Sequence, residues 1–168
     1  AIVIFIFGKP SFSEGQVVLE LEGPTQASVG DEVVYKVKYG NQTKLELNNL
    51  RFKFIYPEES IVIKDGEIIE ELSETFTIDA LKEGESGEKE FQAFMTGDRG
   101  NIKNAKVELE FRAGNLRSSF EKSDTISTTL VSVPVSLTIV APPSVVSGQT
   151  INYILDYRNE SGGNISDI

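Results

Sequence analysis

The feature that most constrains this chain is a two-residue alternation of apolar and polar side chains, repeated from segment to segment. Val33, Tyr35, Val37 and Tyr39 alternate with Val34, Lys36 and Lys38. Leu50, Phe52, Phe54 and Tyr56 alternate with Arg51, Lys53 and Ile55, and Pro57 ends the run. Val107, Leu109 and Phe111 alternate with Lys106, Glu108, Glu110 and Arg112. Successive side chains of a strand point to opposite faces, so each segment can bury one face and solvate the other. Segments 17–21, 76–80, 91–95 and 131–139 read the same way, and none holds a helical period of useful length. Asp65-Gly66 sits between two short apolar segments, 61–64 and 67–70, which is a two-residue hairpin signal. Seven or eight short strands separated by turns predict an all-β chain folded as an antiparallel, Ig-like β-sandwich.

The chain also repeats itself. Shifted by 118 positions, residues 17–50 lie on 135–168 without a gap. The identities are Val17/Val135, Leu19/Leu137, Pro24/Pro142, Gly30/Gly148, Tyr35/Tyr153, Tyr39/Tyr157 and Asn41/Asn159. They fall on apolar, glycine, proline and tyrosine positions, the residues that set strands and turns. A period this long predicts whole domains in series rather than a solenoid. The expected organisation is one complete module over 16–132 and the opening strands of a second over 133–168. A continuous strand from about Thr128 to Val140 is expected to couple them, stiffened by Pro134 and Pro142-Pro143.

The N-terminal run AIVIFIF, followed by Gly8, has two readings. It is either the outer end of a transmembrane helix that begins upstream, over 1–8, or an Ile/Val/Phe-rich strand. Seven apolar residues cover about 10 Å as a helix, against about 30 Å of bilayer core, so the run cannot cross a membrane alone. Residues 9–15 read as a linker.

Composition excludes several classes of function. The chain has no cysteine and no histidine, which removes thiolate nucleophiles, disulfides, zinc fingers and the Ser-His-Asp triad. Sixteen basic residues against 26 acidic ones leave a net charge of −10, which argues against nucleic acid and against anionic lipid as partners.

Two stretches carry a family resemblance. The run 30–41 (GDEVVYKVKYGN) resembles the opening strand pair of the conserved Ig-like repeats of prokaryotic surface proteins. There a Gly-Asp turn leads into alternating apolar residues and ends in Asn. The run 81–91 (LKEGESGEKEF) resembles the same family's turn into its next strand, and Tyr56-Pro57 stands where the family closes its third strand. The resemblance covers roughly 17–95 and the second copy from 135. After Thr96 the chain departs from it, and 105–113 is assigned by alternation alone. It implies tandem, often membrane-tethered spacers or binding stalks of envelope proteins, S-layer-like proteins and adhesins.

Side chains able to carry chemistry are few. Ser86/Lys89 and Ser119/Lys122 have the S-x-x-K spacing of penicillin-binding enzymes, but that chemistry needs a helix to bring Lys back to Ser, and neither S-D-N nor K-T-G occurs. Asp79, Glu83, Glu85, Glu88 and Glu90 cluster around one turn. The functional readings are an acid/base pair or, on Asp79, Glu83 and Glu85, a calcium site; the plain reading is a solvated turn. Asp98 and Asn101, with Asn104, form a second candidate for calcium, the one cofactor in view. Asn41, Asn159 and Asn164 begin N-x-[ST] sequons and are candidate glycosylation sites. The expected function is a non-enzymatic stalk or envelope-layer module on the cell surface. Its N-terminal side is membrane-anchored, and its partners are neighbouring modules or other copies of the same protein. The alternative is an adhesin reading a protein or glycan ligand through loops 40–49, 82–88 and 97–104.

Overall fold

The computed structural model describes residues 12–132 and 135–159. The run 1–8, Asn164, Pro134 and the end of the second repeat lie outside the described residues. After a short 3-10 turn, Glu14–Gln16, the strands are β1 (Val17–Glu22), β2 (Gln26–Ser28), β3 (Glu32–Asn41), β4 (Leu47–Ile55), β5 (Val62–Lys64) and β6 (Glu67–Ile69). They continue with β7 (Ser73–Leu81), β8 (Ser86–Phe94), β9 (Ile102–Ala113), β10 (Ser119–Ser132), β11 (Val135–Val140) and β12 (Ile154–Asn159).

Two sheets face each other: a three-stranded sheet in the order β1-β3-β8 and a five-stranded sheet in the order β2-β10-β9-β4-β7. The alternation read from sequence becomes the sandwich interior. Tyr35, Val37, Phe52, Phe54, Val107, Leu109, Phe111 and Leu130 are buried, while Arg51, Lys53, Glu110 and Arg112 face water. Aromatic rings join the sheets. Phe54 of β4 stacks on Phe91 of β8 with centroids 4.1 Å apart, and Tyr35 of β3 lies 5.8 Å from Phe54. Each such side chain contributes about 1.5–3 kcal/mol through burial. Asp65 (φ 52°) and Gly66 (φ 83°) form the tight turn between β5 and β6. The φ > 0 pair matches strand twist, and glycine takes the second position without a Cβ penalty.

Three features differ from the alternation-based expectation. Not every pairing is antiparallel: Gly23-Pro24 ends β1 in one sheet, and β2 then joins the other sheet parallel to β10, Gln26 opposite Thr129 and Ala27 opposite Leu130. β4 carries a bulge at Asn49 (φ 52°), between Asn48 and Arg51. Ala80 is exposed rather than sharing the half-buried face of Phe76 and Ile78, and Leu81 is buried instead. Across the expected continuous strand, β10 ends at Ser132 and β11 begins at Val135, with 133–134 outside the described residues.

The chain enters and leaves the sandwich at opposite poles. Val17 of β1 pairs with Asn41, beside the 41–46 and 82–85 turns. Ser132 of β10 instead sits beside Ser28, near the 28–31 and 95–101 turns.

Beyond Ser132 the geometry of the opening strands recurs. β1 and β3 pair from Val17↔Asn41 to Glu22↔Lys36, and β11 and β12 from Val135↔Asn159 to Val140↔Ile154. Every position is 118 residues on. Gly30 has φ 88° and Gly148 φ 85°. The Ser28 N–H donates to Asp31 Oδ2 at 2.8 Å, and the Val146 N–H donates to Gln149 Oε1 at 3.2 Å, in the same turn.

Candidate functional site

At the N-terminal pole, Asn41 builds a closed turn. It is 1% exposed. Its Nδ2 donates to the Leu45 and Leu81 carbonyls, both at 2.8 Å, and its Oδ1 accepts from the Thr43 N–H at 2.9 Å and the Thr43 hydroxyl at 2.7 Å. Asn and Thr here serve a side-chain-to-backbone turn of the kind these residues favour. In the folded module this amide is not available to a glycan, so the sequon at 41–43 is structural. Asn159, at the end of β12, is exposed.

The carboxylate cluster does not converge. Glu83 pairs with Lys44 at 2.5 Å, and Glu85 accepts the Lys82 N–H at 2.7 Å inside its own turn. Asp79 is exposed on β7. Glu88 and Glu90 flank Lys36 on the outer face, at 3.5 and 3.3 Å. The Glu90 hydrogen bond and then the Glu88 charge raise the Lys36 pKa. Among the described residues no three acidic side chains group as a metal site would require. Asp98 and Asn101 lie at the other pole, where the Asp98 N–H donates to Asn101 Oδ1 at 2.9 Å and closes a turn. The two candidate calcium groups are therefore separated by the length of β8, on the order of 30 Å. The three loops considered for adhesion divide the same way: 40–49 and 82–88 meet at one pole, and 97–104 begins at the other.

The S-x-x-K pairs lie on strands, where a spacing of three places the two side chains on opposite faces. Ser86 shares the outer face with Glu88, while Lys89 turns inward over Phe76, 4.5 Å from the ring centroid. Ser119 Oγ donates to Glu110 at 2.8 Å on the outer face, and Lys122 turns to β1. Neither serine meets its lysine.

One polar cluster lies at the seam between β7 and β8. Burial opposes ionisation of Glu74. The Lys64 ammonium, the Tyr56 hydroxyl and the Lys89 charge outweigh it and hold the carboxyl below the ordinary glutamate range. Burial, then the bond to Glu74, raises the Tyr56 phenol. Each group has a partner, so the cluster fastens the seam.

The strand edges are treated unequally, and sequence reasoning missed the devices involved. The outer edge of β1 is closed by β10: the Leu21 N–H donates to Asp124 Oδ2, and Lys122 Nζ donates to the carbonyls of Val17 and Glu14. The signal was a lysine and an aspartate on the inward positions of a face that otherwise carries Phe120, Ile126 and Leu130. The β12 edge has no strand neighbour but β11 among the described residues.

No protein-family model matches this chain, and no curated protein matches it. Solved structures similar to it include E. coli alpha-2-macroglobulin, at 12% identity and TM-score 0.47, covering 76% of this chain and 7% of that one. The CARDB domain of the Pyrococcus furiosus PF1109 protein, in complex with di-metal ions, is similar at 13% identity and TM-score 0.41, covering 68% and 93%. The seventh ScaB type I cohesin of Pseudobacteroides cellulosolvens is similar at 18% identity and TM-score 0.42, covering 77% and 96%.

Proposed function

We propose that this chain is a non-enzymatic structural module of a tandem Ig-like array, a stalk or envelope-layer repeat held on the outer side of a membrane through its N-terminal side. The observation that carries the reading is the mechanical layout. The chain arrives at one pole and leaves from the other, and β2, which follows β1, runs parallel to β10, the last strand of the module. Tension along the array then loads the β2–β10 bonds together in shear, not one after another. The recurrence of register, turn and glycine conformation after Ser132 supports modules in series, and the resemblance of 30–41 and 81–91 to prokaryotic surface repeats supports the location. The net charge of −10 keeps neighbouring arrays apart. The placement of each S-x-x-K pair on opposite strand faces supports the non-enzymatic reading.

Small-angle scattering on concatemers of two, three and four copies of residues 12–132 tests this. A maximum dimension that grows linearly with copy number is expected. A dimension that stays near that of a compact globule would overturn the stalk.

A further inference from the structure

We propose that β7 is a homotypic docking edge: it pairs antiparallel with β7 of a second copy of this chain, in the register centred on Thr77, and joins the two five-stranded sheets into one. The edge belongs to the complete module of 12–132. It has β4 on one side and, among the described residues, no strand on the other, whatever follows Ser132.

The other edges of the sandwich are closed, charged or short. β10 caps β1 through Asp124 and Lys122, and β2 is three residues long. β8 meets Ile61 at one end, where the Phe94 and Ile61 N–H groups donate to each other's carbonyls at 2.8 and 3.0 Å, and its free side carries Glu88 and Glu90. β7 has none of these devices. It runs nine residues, Ser73–Leu81, with no proline, lysine, arginine or positive φ, and Thr75, Thr77 and Asp79 are exposed along it. Natural sheets blunt a long regular edge of this kind or give it a partner.

The ladder to β4 settles which groups this edge offers. The Tyr56 N–H donates to the Leu72 carbonyl at 2.9 Å, and β4 and β7 keep one register from Ile55↔Ser73 to Leu47↔Leu81. Hydrogen-bonded pairs alternate along an antiparallel ladder. The even-numbered residues of β7 therefore bond to β4, and Ser73, Thr75, Thr77 and Asp79 turn N–H and C=O to the free side. A second copy reversed about Thr77 presents the same groups in return. Thr77 then faces Thr77, Thr75 faces Asp79, and Phe76 faces Ile78. Thr–Thr and aromatic–β-branched pairs are favourable cross-strand partners, and no like charges stand opposite one another. Phe76 and Ile78, half-buried in one molecule, cover each other. Asp79 of the second copy comes within two strand spacings, about 10 Å, of Lys53 across Thr75. Among the described residues neither Asp79 nor Lys53 has an ion pair inside its own molecule. Sliding one copy by two residues sets Glu74 against Ile78 in one direction and Phe76 against Ala80 in the other, so the Thr77 register is selected. Reversal puts the N-terminal pole of one module beside the C-terminal pole of its partner. In membrane-held arrays this joins molecules reaching out from opposed surfaces, a consequence that rests on the function proposed above.

The chain has no cysteine, so a single introduced thiol reports the register. Thr75→Cys, Thr77→Cys and Asp79→Cys, each in the full 168-residue chain, are oxidised and their dimers measured on non-reducing gels. Thr77→Cys should cross-link with itself. Thr75→Cys should cross-link with Asp79→Cys in an equimolar mixture but not with itself, since two Thr75 sites lie about 13 Å apart in this register. Glu121→Cys, exposed on β10, controls for collision. Hydrogen exchange at Thr75, Thr77 and Asp79 should slow as concentration rises. In sedimentation equilibrium Thr77→Lys should weaken dimerisation about fivefold, Thr77→Glu likewise, and a mixture of the two should restore it. Cross-linking no greater than that of Glu121→Cys, equal cross-linking in every combination, or dimerisation indifferent to Thr77→Lys would overturn the pairing. So would edge amides that stay protected at every dilution in a monomer. Any of these leaves the linear growth of concatemers untouched, whereas register-specific cross-links beside compact concatemers would keep the pairing and overturn the stalk.

Discussion

Asp124 accepts the backbone N–H of Leu21 at 2.7 Å, linking residues 103 positions apart and closing the outer edge of β1. A strand edge left open is a template for pairing with another chain. Asp124→Ala leaves the partly buried Leu21 N–H without its acceptor and should cost about 1–3 kcal/mol. Urea unfolding measures the cost, and hydrogen exchange at Leu21 should accelerate. Asp124→Asn keeps an acceptor oxygen and should cost less. Equal effects of the two variants would show that the carboxyl oxygen is not the cap.

Gly87 lies under the Tyr39 ring, itself packed against Phe52 with centroids 4.9 Å apart. Gly87→Val forces that ring aside and should destabilise the module by about 1–3 kcal/mol. The same substitution in a Tyr39→Ala background should cost less, and a double-mutant cycle in urea reads the coupling.

Stability should fall at both ends of the pH range for identifiable reasons. The folded Glu74 carboxyl binds its proton less tightly than the unfolded one, although burial opposes this, because Lys64, Tyr56 and Lys89 favour the charge. Its contribution is present above the ordinary glutamate range and is lost as pH falls through the lowered folded value. Tyr35 and Tyr56 both shift upward, the opposite sense to Glu74. Burial raises both, against the Thr128 bond at Tyr35 and with the Glu74 bond at Tyr56. The unfolded chain releases these protons near the ordinary value of 10.0 while the folded chain keeps them, so stability drops as pH rises past it. Urea midpoints from about pH 3 to about pH 11 should show a plateau between two falling limbs. Glu74→Gln should flatten the acid limb and Tyr56→Phe the alkaline one.

Asn41 makes four hydrogen bonds that tie the 41–45 turn to Leu81. Asn41→Ala removes the Nδ2 donor to the Leu81 and Leu45 carbonyls and the acceptor of the buried Thr43 N–H. It should cost about 2–4 kcal/mol, although the Thr43 hydroxyl still donates to Leu45. Thr43→Ala breaks the sequon equally well but leaves the two Nδ2 bonds, and should cost less. Thermal unfolding distinguishes the two, and a larger loss for Thr43→Ala would contradict the turn described here.

Much of this architecture is legible in the sequence because burial imposes a period of two. Tyr35, Val37, Phe52, Phe54, Leu109 and Phe111 are recognisable as interior residues, and Asp65-Gly66 as a hairpin, without any coordinates. β10 is harder to read. Its inward face places Lys122 and Asp124 where alternation wants apolar side chains, because those residues cap a strand edge rather than fill the core. β2 is three residues long and pairs in parallel, a relationship no local pattern encodes. The Asn41 sequon shows the limit from the other side: the same three residues serve a glycan or a closed turn, and only burial of the amide separates them. The 118-residue repeat is legible as residue identities, whereas the equality of the two strand registers exists only in three dimensions.

The claim that tension is borne along the module is tested most directly by pulling a single chain from attachment points at Phe12 and Ser132. The account predicts one cooperative rupture, with a contour increment of about 400 Å for residues 12–132 at about 3.6 Å each less the folded span. Val29→Pro, which deletes the 3.0 Å bond from the Val29 N–H to the Ser132 carbonyl, should lower the rupture force. Progressive low-force peeling of the wild-type chain, or a rupture force indifferent to Val29→Pro, would contradict a module built to carry load through its β2–β10 pairing.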